Sequence, residues 1–314
     1  MQLVKLISSS AFACDFNSSE YNFSIQRNNY QGGSYGSTNL LAVWLQKETD
    51  NGLNLSVSAA VAEDLLGQAK ELVRRVRRIR GWRYKWKMVS ILIGHNDLCL
   101  KSCYTFLNTI IPRTNVMAEK YERSLRRVVE YLRSALPRTI LLLLTPVDVT
   151  LADDVPHTPP VCHLARKLEC SCLFNLNREE SNRNLHRLWQ SYRLEEIIET
   201  KYEIHYIITM FRSTLYRISQ DPTYNNKLFA VKFMSTFDIQ TMPDTVMSPL
   251  RDSSLLAPDC FHFSKRLHAR MARNLWNDLF QEDGSYGQEY NFDPPLFCPS
   301  QQLPYFNIKQ FNKQ

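Results

Sequence analysis

Apolar residues recur along this chain with two different spacings, and the order in which the spacings alternate predicts the fold class. Met88–Ile93 and Thr139–Leu144 are short, almost continuously apolar runs, rich in branched side chains. Each ends in a polar turn, Gly94-His95-Asn96-Asp97 and Thr145-Pro146-Val147-Asp148. Such runs predict strands buried on both faces, as in a parallel sheet. Leu228–Phe237 predicts the last strand, and the alternating Leu53–Ser58 a short one. Between them the spacing is helical. Leu65, Leu66, Ala69, Leu72, Val73, Val76 and Ile79 predict a helix over Ala62–Ile79. Tyr121, Leu125, Val128, Val129 and Leu132 predict one over Ala118–Ala135. Leu185, Leu188, Trp189 and Tyr192 mark a third within Asn177–Glu199, and Leu40–Leu45 suggests a short one. A further helix opens after Ser264, where Leu267, Met271, Leu275 and Leu279 lie four apart beside Trp276. Strand, helix, strand in this order is the βαβ pattern. Gln31–Thr38 and Pro156–Cys172 read as loops, the latter lying over one end of the sheet.

Two of the predicted loops carry chemistry. In Ala257-Pro258-Asp259-Cys260-Phe261-His262-Phe263-Ser264, an Asp lies three residues before a His, straight after a proline. Asp259 on a tight turn reaches the imidazole of His262, fixes its tautomer and leaves the other nitrogen to take a proton from a nucleophile. In the turn after Met88–Ile93, Asn96 offers an amide donor of the type that stabilises an oxyanion, and Gly94 permits close approach of backbone to a ligand. His95 reads as a loop residue, and His268 as a solvent-facing residue of the following helix.

Together, Gly94-His95-Asn96-Asp97-Leu98-Cys99 and Asp259-Cys260-Phe261-His262-Phe263-Ser264 resemble the two late motifs of the SGNH, or GDSL-type, hydrolases, in the animal phospholipase B branch. Val57–Leu65 resembles the second block of that family. The resemblance implies a three-layer α/β/α fold with a parallel central sheet. It divides the chain into an N-terminal segment over 1–20 with a degenerate or truncated first block, a hydrolase domain over 21–280 and a tail over 281–314. It implies hydrolysis of phospholipid or lysophospholipid acyl esters by a Ser-His-Asp mechanism. His262 is then the general base, Asp259 its orienting carboxylate and Asn96 an oxyanion donor, with no metal and no cofactor. The family's first block, Gly-Asp-Ser-Leu, is absent; Ser9, after Leu3–Ile7, is the nearest equivalent nucleophile. Where the second block carries an oxyanion-hole glycine, this chain has Ala59 and Ala60. A catalytically inactive, lipid-binding member of the fold is therefore the alternative.

Composition changes this picture in three places. The 314 residues, 44% hydrophobic and 22% charged, suit one α/β domain or at most two, and no stretch is long and apolar enough to span a membrane. Eight cysteines favour disulfides in an exported protein, as do the sequons at Asn17, Asn22 and Asn54. By resemblance, the disulfide candidates are Cys99, Cys103, Cys162, Cys170, Cys172 and Cys298, and the location is secreted or on the extracellular face of a membrane. Met1–Ala13 is a short signal-like stretch. Zinc binding by the same cysteines is the rival, but no spacing fits a common zinc template. Finally, the net charge of +7 is concentrated in Arg74–Lys87, where basic and aromatic residues alternate. That stretch reads first as a solvated helix face and loop, next as a peripheral membrane contact, and last as a nucleic-acid-binding module.

Overall fold

The structure is a computed structural model and describes residues 2–7, 53–101, 113–149, 160–171, 204–235 and 253–280, with 295, 297 and 306. In chain order the elements are β1 (Gln2–Ile7), α1 (Leu65–Val76), β2 (Trp86–Leu92), α2 (Arg113–Ala135), β3 (Thr139–Leu144), α3 (Pro160–Glu169), α4 (204–220), β4 (Phe229–Met234) and α5 (Lys265–Asp278).

β2, β3 and β4 pair in parallel, with Met88 opposite Ile140 and Ile140 opposite Ala230. β1 joins the β2 edge antiparallel. The sheet is thus parallel at its centre, with one antiparallel edge strand. Successive strand side chains point to opposite faces, and the two faces bury different partners. Val89, Ile91, Leu141, Leu143, Val231 and Phe233 pack with Leu72 and Val76 of α1, Leu125 and Val129 of α2, and Phe211 and Leu215 of α4. Met88, Ile140, Leu142, Leu144, Ala230 and Met234 pack with Leu267, Met271, Leu275 and Trp276 of α5. Helices on both faces of one sheet make the three layers. No helix among the described residues is long and apolar enough to cross a membrane.

Three regions differ from the sequence expectations or extend them. Leu53–Ser58 forms no strand beyond a single bridge residue at Asn54. There the Asn54 side chain accepts the Ser56 N–H at 3.1 Å, a local turn that competes with ladder pairing. Within Pro156–Cys172, expected to be a loop, α3 forms with Pro160 in its first turn. It buries Cys162 and Arg166, and Cys170 directly after its end, at helical spacing but not an apolar pattern, while Val161, Leu164 and Leu168 stay exposed. α4 follows Ile204, Ile207, Ile208, Phe211, Leu215 and Ile218, a helical repeat that the sequence displays plainly. The expected elements over 31–45 and 177–199 lie outside the described residues.

Candidate active site

The parallel strands deliver their loops to one end of the sheet, the usual place for a site in this architecture. After β2 the chain turns at Gly94, with φ 121°. A Cβ here would lie 3.1 Å from the Phe211 ring and 3.4 Å from Tyr121. Those two rings stack with centroids 3.8 Å apart, and the Tyr121 hydroxyl donates to Ile93 O. The glycine therefore makes room for protein packing rather than for a ligand's approach.

The next three residues each hold a neighbouring loop. The Val147 N–H donates to His95 Nε2 at 2.8 Å, which ties β2's loop to β3's and puts the neutral ring's proton on Nδ1. Burial, and then the positive charge of nearby His262, push His95 down to about 4. Asn96 Nδ2 donates to Ala60 O at 2.9 Å, and the Ala62 N–H donates to both Asp97 oxygens at 3.2 and 3.0 Å. The Gly94–Asp97 turn and the 57–62 loop are thereby locked together. Ala59 sits at the outer corner of that loop with φ 58°, a conformation that favours glycine.

Asp259 and His262 form the expected pair: His262 Nδ1 lies 2.8 Å from Asp259 Oδ2. The Phe261 and His262 backbone N–H groups donate to Asp259 Oδ1 at 3.0 and 2.9 Å. Burial raises the carboxyl's pKa, but these backbone bonds and the bond from the His262 ring outweigh it and hold the carboxyl below its ordinary value. The turn is closed by Cys260 N–H to Ala257 O and Ala257 N–H to His262 O. Ser264 then caps α5 through Leu267 N. The other ring nitrogen of His262 makes no bond to a serine hydroxyl among the described residues.

A disulfide between Cys162 and Cys260 fastens this turn to α3, and Arg166 Nε donates to Cys260 O at 3.1 Å. A second disulfide, Cys99–Cys170, fastens the same helix's end to the loop after β2. Cys99, Cys162 and Cys170 were expected to form disulfides; Cys260 was not, although its place between the two site residues was visible in the sequence. Cys103, Cys172 and Cys298 lie outside the described residues.

Ser9 is likewise outside the described residues, but the strand before it is not. Ile7 pairs with Trp86, the first residue of β2, whereas Gly94 follows the other end. β2 has seven residues. At strand rise that is about 20 Å.

Other features of this end were missed by sequence reasoning. Asp148, buried after β3, lies 3.1 Å from Nδ1 of His205 on α4, 57 residues away, with no motif to announce it. His268 does not face solvent: both ring nitrogens are enclosed, with no hydrogen-bond partner among the described residues, and burial, then His262, push it down to about 4. Glu169 joins Asp259 and His262 in a group with ligand atoms within 4.8 Å of one another. Two of these three are bonded to each other, His262 through Nδ1 and Asp259 through Oδ2. Around the dyad end, Val57, Val161, Leu164, Leu168 and Tyr206 expose apolar surface.

Comparison with known proteins shows the family of the chain. Residues 15–275 match the family of GDSL-like lipases and acylhydrolases. The chain is 26% identical over 261 residues to "Phospholipase B1, membrane-associated" of Rattus norvegicus, covering 81% of this chain and 16% of that protein. The protein of the same name from Homo sapiens is 26% identical over 269 residues, covering 83% of this chain and 17% of the relative. The chain thus spans about one-sixth of the length of these relatives. With the match extending over most of its length, the chain belongs to the GDSL-like lipase/acylhydrolase family.

Proposed function

We propose that this chain hydrolyses acyl esters of phospholipids or lysophospholipids, with His262 as general base and Asp259 as the carboxylate that orients it. The observation that carries the reading is the 2.8 Å contact between His262 Nδ1 and an Asp259 whose other oxygen is held by two backbone N–H groups. That arrangement fixes the proton on Nδ1 and presents Nε2 to a nucleophile. It also stabilises the imidazolium formed once the proton is taken. Asn96, already anchored on Ala60 O through one of its amide hydrogens, has a second to offer a developing oxyanion. The Ala59 N–H is its partner in this role. Ala59 keeps the positive φ that a glycine would adopt without strain. The apolar rim of Val57, Val161, Leu164, Leu168 and Tyr206 suits an acyl chain or a lipid surface. A serine outside the described residues supplies the nucleophile. The two disulfides favour an oxidising, extracellular setting.

A fluorophosphonate probe tests this directly, with the label located by peptide mass spectrometry. Labelling of one serine in the wild type, lost in His262→Ala, is the expected result and names the nucleophile, Ser9 included. Well-folded protein that takes no label refutes the enzyme reading. It leaves the lipid-binding alternative, which the missing Gly-Asp-Ser-Leu block and the Ala59-Ala60 replacement motivate.

A further inference from the structure

The end of the sheet opposite the dyad carries a dense basic face that the hydrolase reading does not use. No acidic residue occurs from Leu72 to Asn96. Arg77, Arg78, Arg80, Arg83 and Lys85 are exposed where α1 runs into β2. Arg83 and Arg77 lie over the Trp82 ring, at 5.1 and 5.8 Å from its centroid. Beneath them Lys87 is buried, and its ammonium donates to Trp82 O and Lys85 O at 2.9 and 2.7 Å. Arg138 enters from the start of β3, where its carbonyl accepts the Lys87 N–H at 2.8 Å. Lys227 and Leu228 enter beside it from the start of β4, with Leu228 O accepting the Thr139 N–H. At the centre, burial, and then the charge of Arg138, push Lys87 down to about 8. Arg78, Arg80, Arg83, Lys85, Arg138 and Lys227 form no ion pair with a described carboxylate.

We propose that this face binds a linear, sulfated polysaccharide. An extended polyanion matches a row of cations contributed by three strand starts and one helix end, and guanidinium groups suit sulfate as they suit phosphate. Position decides between polyanions. Tyr84 and Leu228 are the exposed large apolar side chains of the basic face, whereas Val57, Val161, Leu164, Leu168 and Tyr206 cluster towards the dyad, so a lipid surface belongs at that end, about 20 Å of strand away. A basic face directed away from the lipid is free for another partner. The disulfides place the chain where sulfated glycans, not nucleic acids, are the abundant polyanions. This inference does not depend on catalysis and survives a failure of the hydrolase reading.

The test uses the whole chain with its disulfides intact. Binding of a heparin octasaccharide is measured by titration calorimetry across a series of salt concentrations. Two triple variants are compared, each losing three exposed cations: Arg80→Ser/Arg83→Ser/Lys85→Ser on the basic face, and Lys120→Ser/Arg123→Ser/Arg127→Ser on α2. Thermal unfolding verifies that both are folded. The first variant is expected to bind roughly tenfold weaker or worse at physiological salt, with the slope of log affinity against log salt reduced by about 2 to 3. The second is expected to bind as wild type. Equal weakening in both means net charge alone, and overturns the proposal. So does absence of heparin binding, or tighter binding to phosphatidylserine vesicles or single-stranded RNA with the same loss in the first variant. If Arg80→Ser/Arg83→Ser/Lys85→Ser fails to fold, Arg80→Gln/Arg83→Gln/Lys85→Gln takes its place, with the same weakening expected; binding as in wild type overturns the proposal.

Discussion

Gly94→Ala tests whether the turn that carries Asn96 is dictated by packing. The φ of 121° lies where non-glycine residues are strained, at about 1–3 kcal/mol. The added Cβ would also meet Phe211 carbons at 3.1 and 3.3 Å and Tyr121 at 3.4 Å. Phe211 is fully buried and stacked on Tyr121, so its ring has little room to retreat. Overpacking of this kind costs about 1–3 kcal/mol. The two contributions sum to about 2–6 kcal/mol, a large part of a typical stability of about 5–15 kcal/mol. Guanidinium denaturation under non-reducing conditions, followed by tryptophan fluorescence, measures the loss. Phe211→Leu separates the two contributions. Alone it costs roughly 1–3 kcal/mol as a large-to-small change. Combined with Gly94→Ala it removes the clash but leaves the backbone strain, so the double variant should be about 1–2 kcal/mol more stable than the two single losses predict. A Gly94→Ala loss below about 1 kcal/mol, or strict additivity with Phe211→Leu, would falsify the packing account.

Three further outcomes follow from the site. Cys162→Ser/Cys260→Ser removes a crosslink spanning 98 residues; a loss of about 2–5 kcal/mol is expected by chemical denaturation, and an unchanged stability would show that the turn is held without it. His95 has an ordinary value of 6.5 and a folded value of about 4. The unfolded chain therefore binds the proton first, and the stability from neutral His95 is present above about 6.5 and lost as pH falls towards about 4. His95→Gln keeps an acceptor for Val147 N–H and should flatten stability against pH over that window; an undiminished slope would assign it elsewhere, His268 being the first candidate. The depressed Asp259 acts in the same direction at lower pH, its stabilisation lost as pH falls through the carboxylate range. Leu164→Asp/Leu168→Asp alters two exposed positions on α3, so it should leave folding intact while weakening sedimentation with phosphatidylcholine vesicles by roughly tenfold or more; equal sedimentation would remove α3 from the lipid-facing surface.

The sequence by itself determined the alternation of strand and helix and the Asp259–His262 pair, because both rest on short-range rules; the three layers were what the family resemblance implied. Short apolar runs rich in branched residues suit central strands, and α1, α2 and α5 show one apolar stripe each. An Asp three residues before a His on a turn needs no distant partner to find its geometry. Tertiary structure decided whatever depends on meetings across the chain. Cys260 pairs with Cys162 because α3 passes behind the dyad turn, and α3 itself escaped notice because it buries Cys162 and Arg166 rather than a row of apolar residues. His95 and Asp97 act as clamps only because Val147 N–H and Ala62 N–H face them. The same motif residue, Gly94, reads as ligand clearance in one dimension and as room for Phe211 in three. Local spacing specifies which element forms and which face it buries; only the packing of elements far apart in sequence specifies which polar group each loop residue must satisfy.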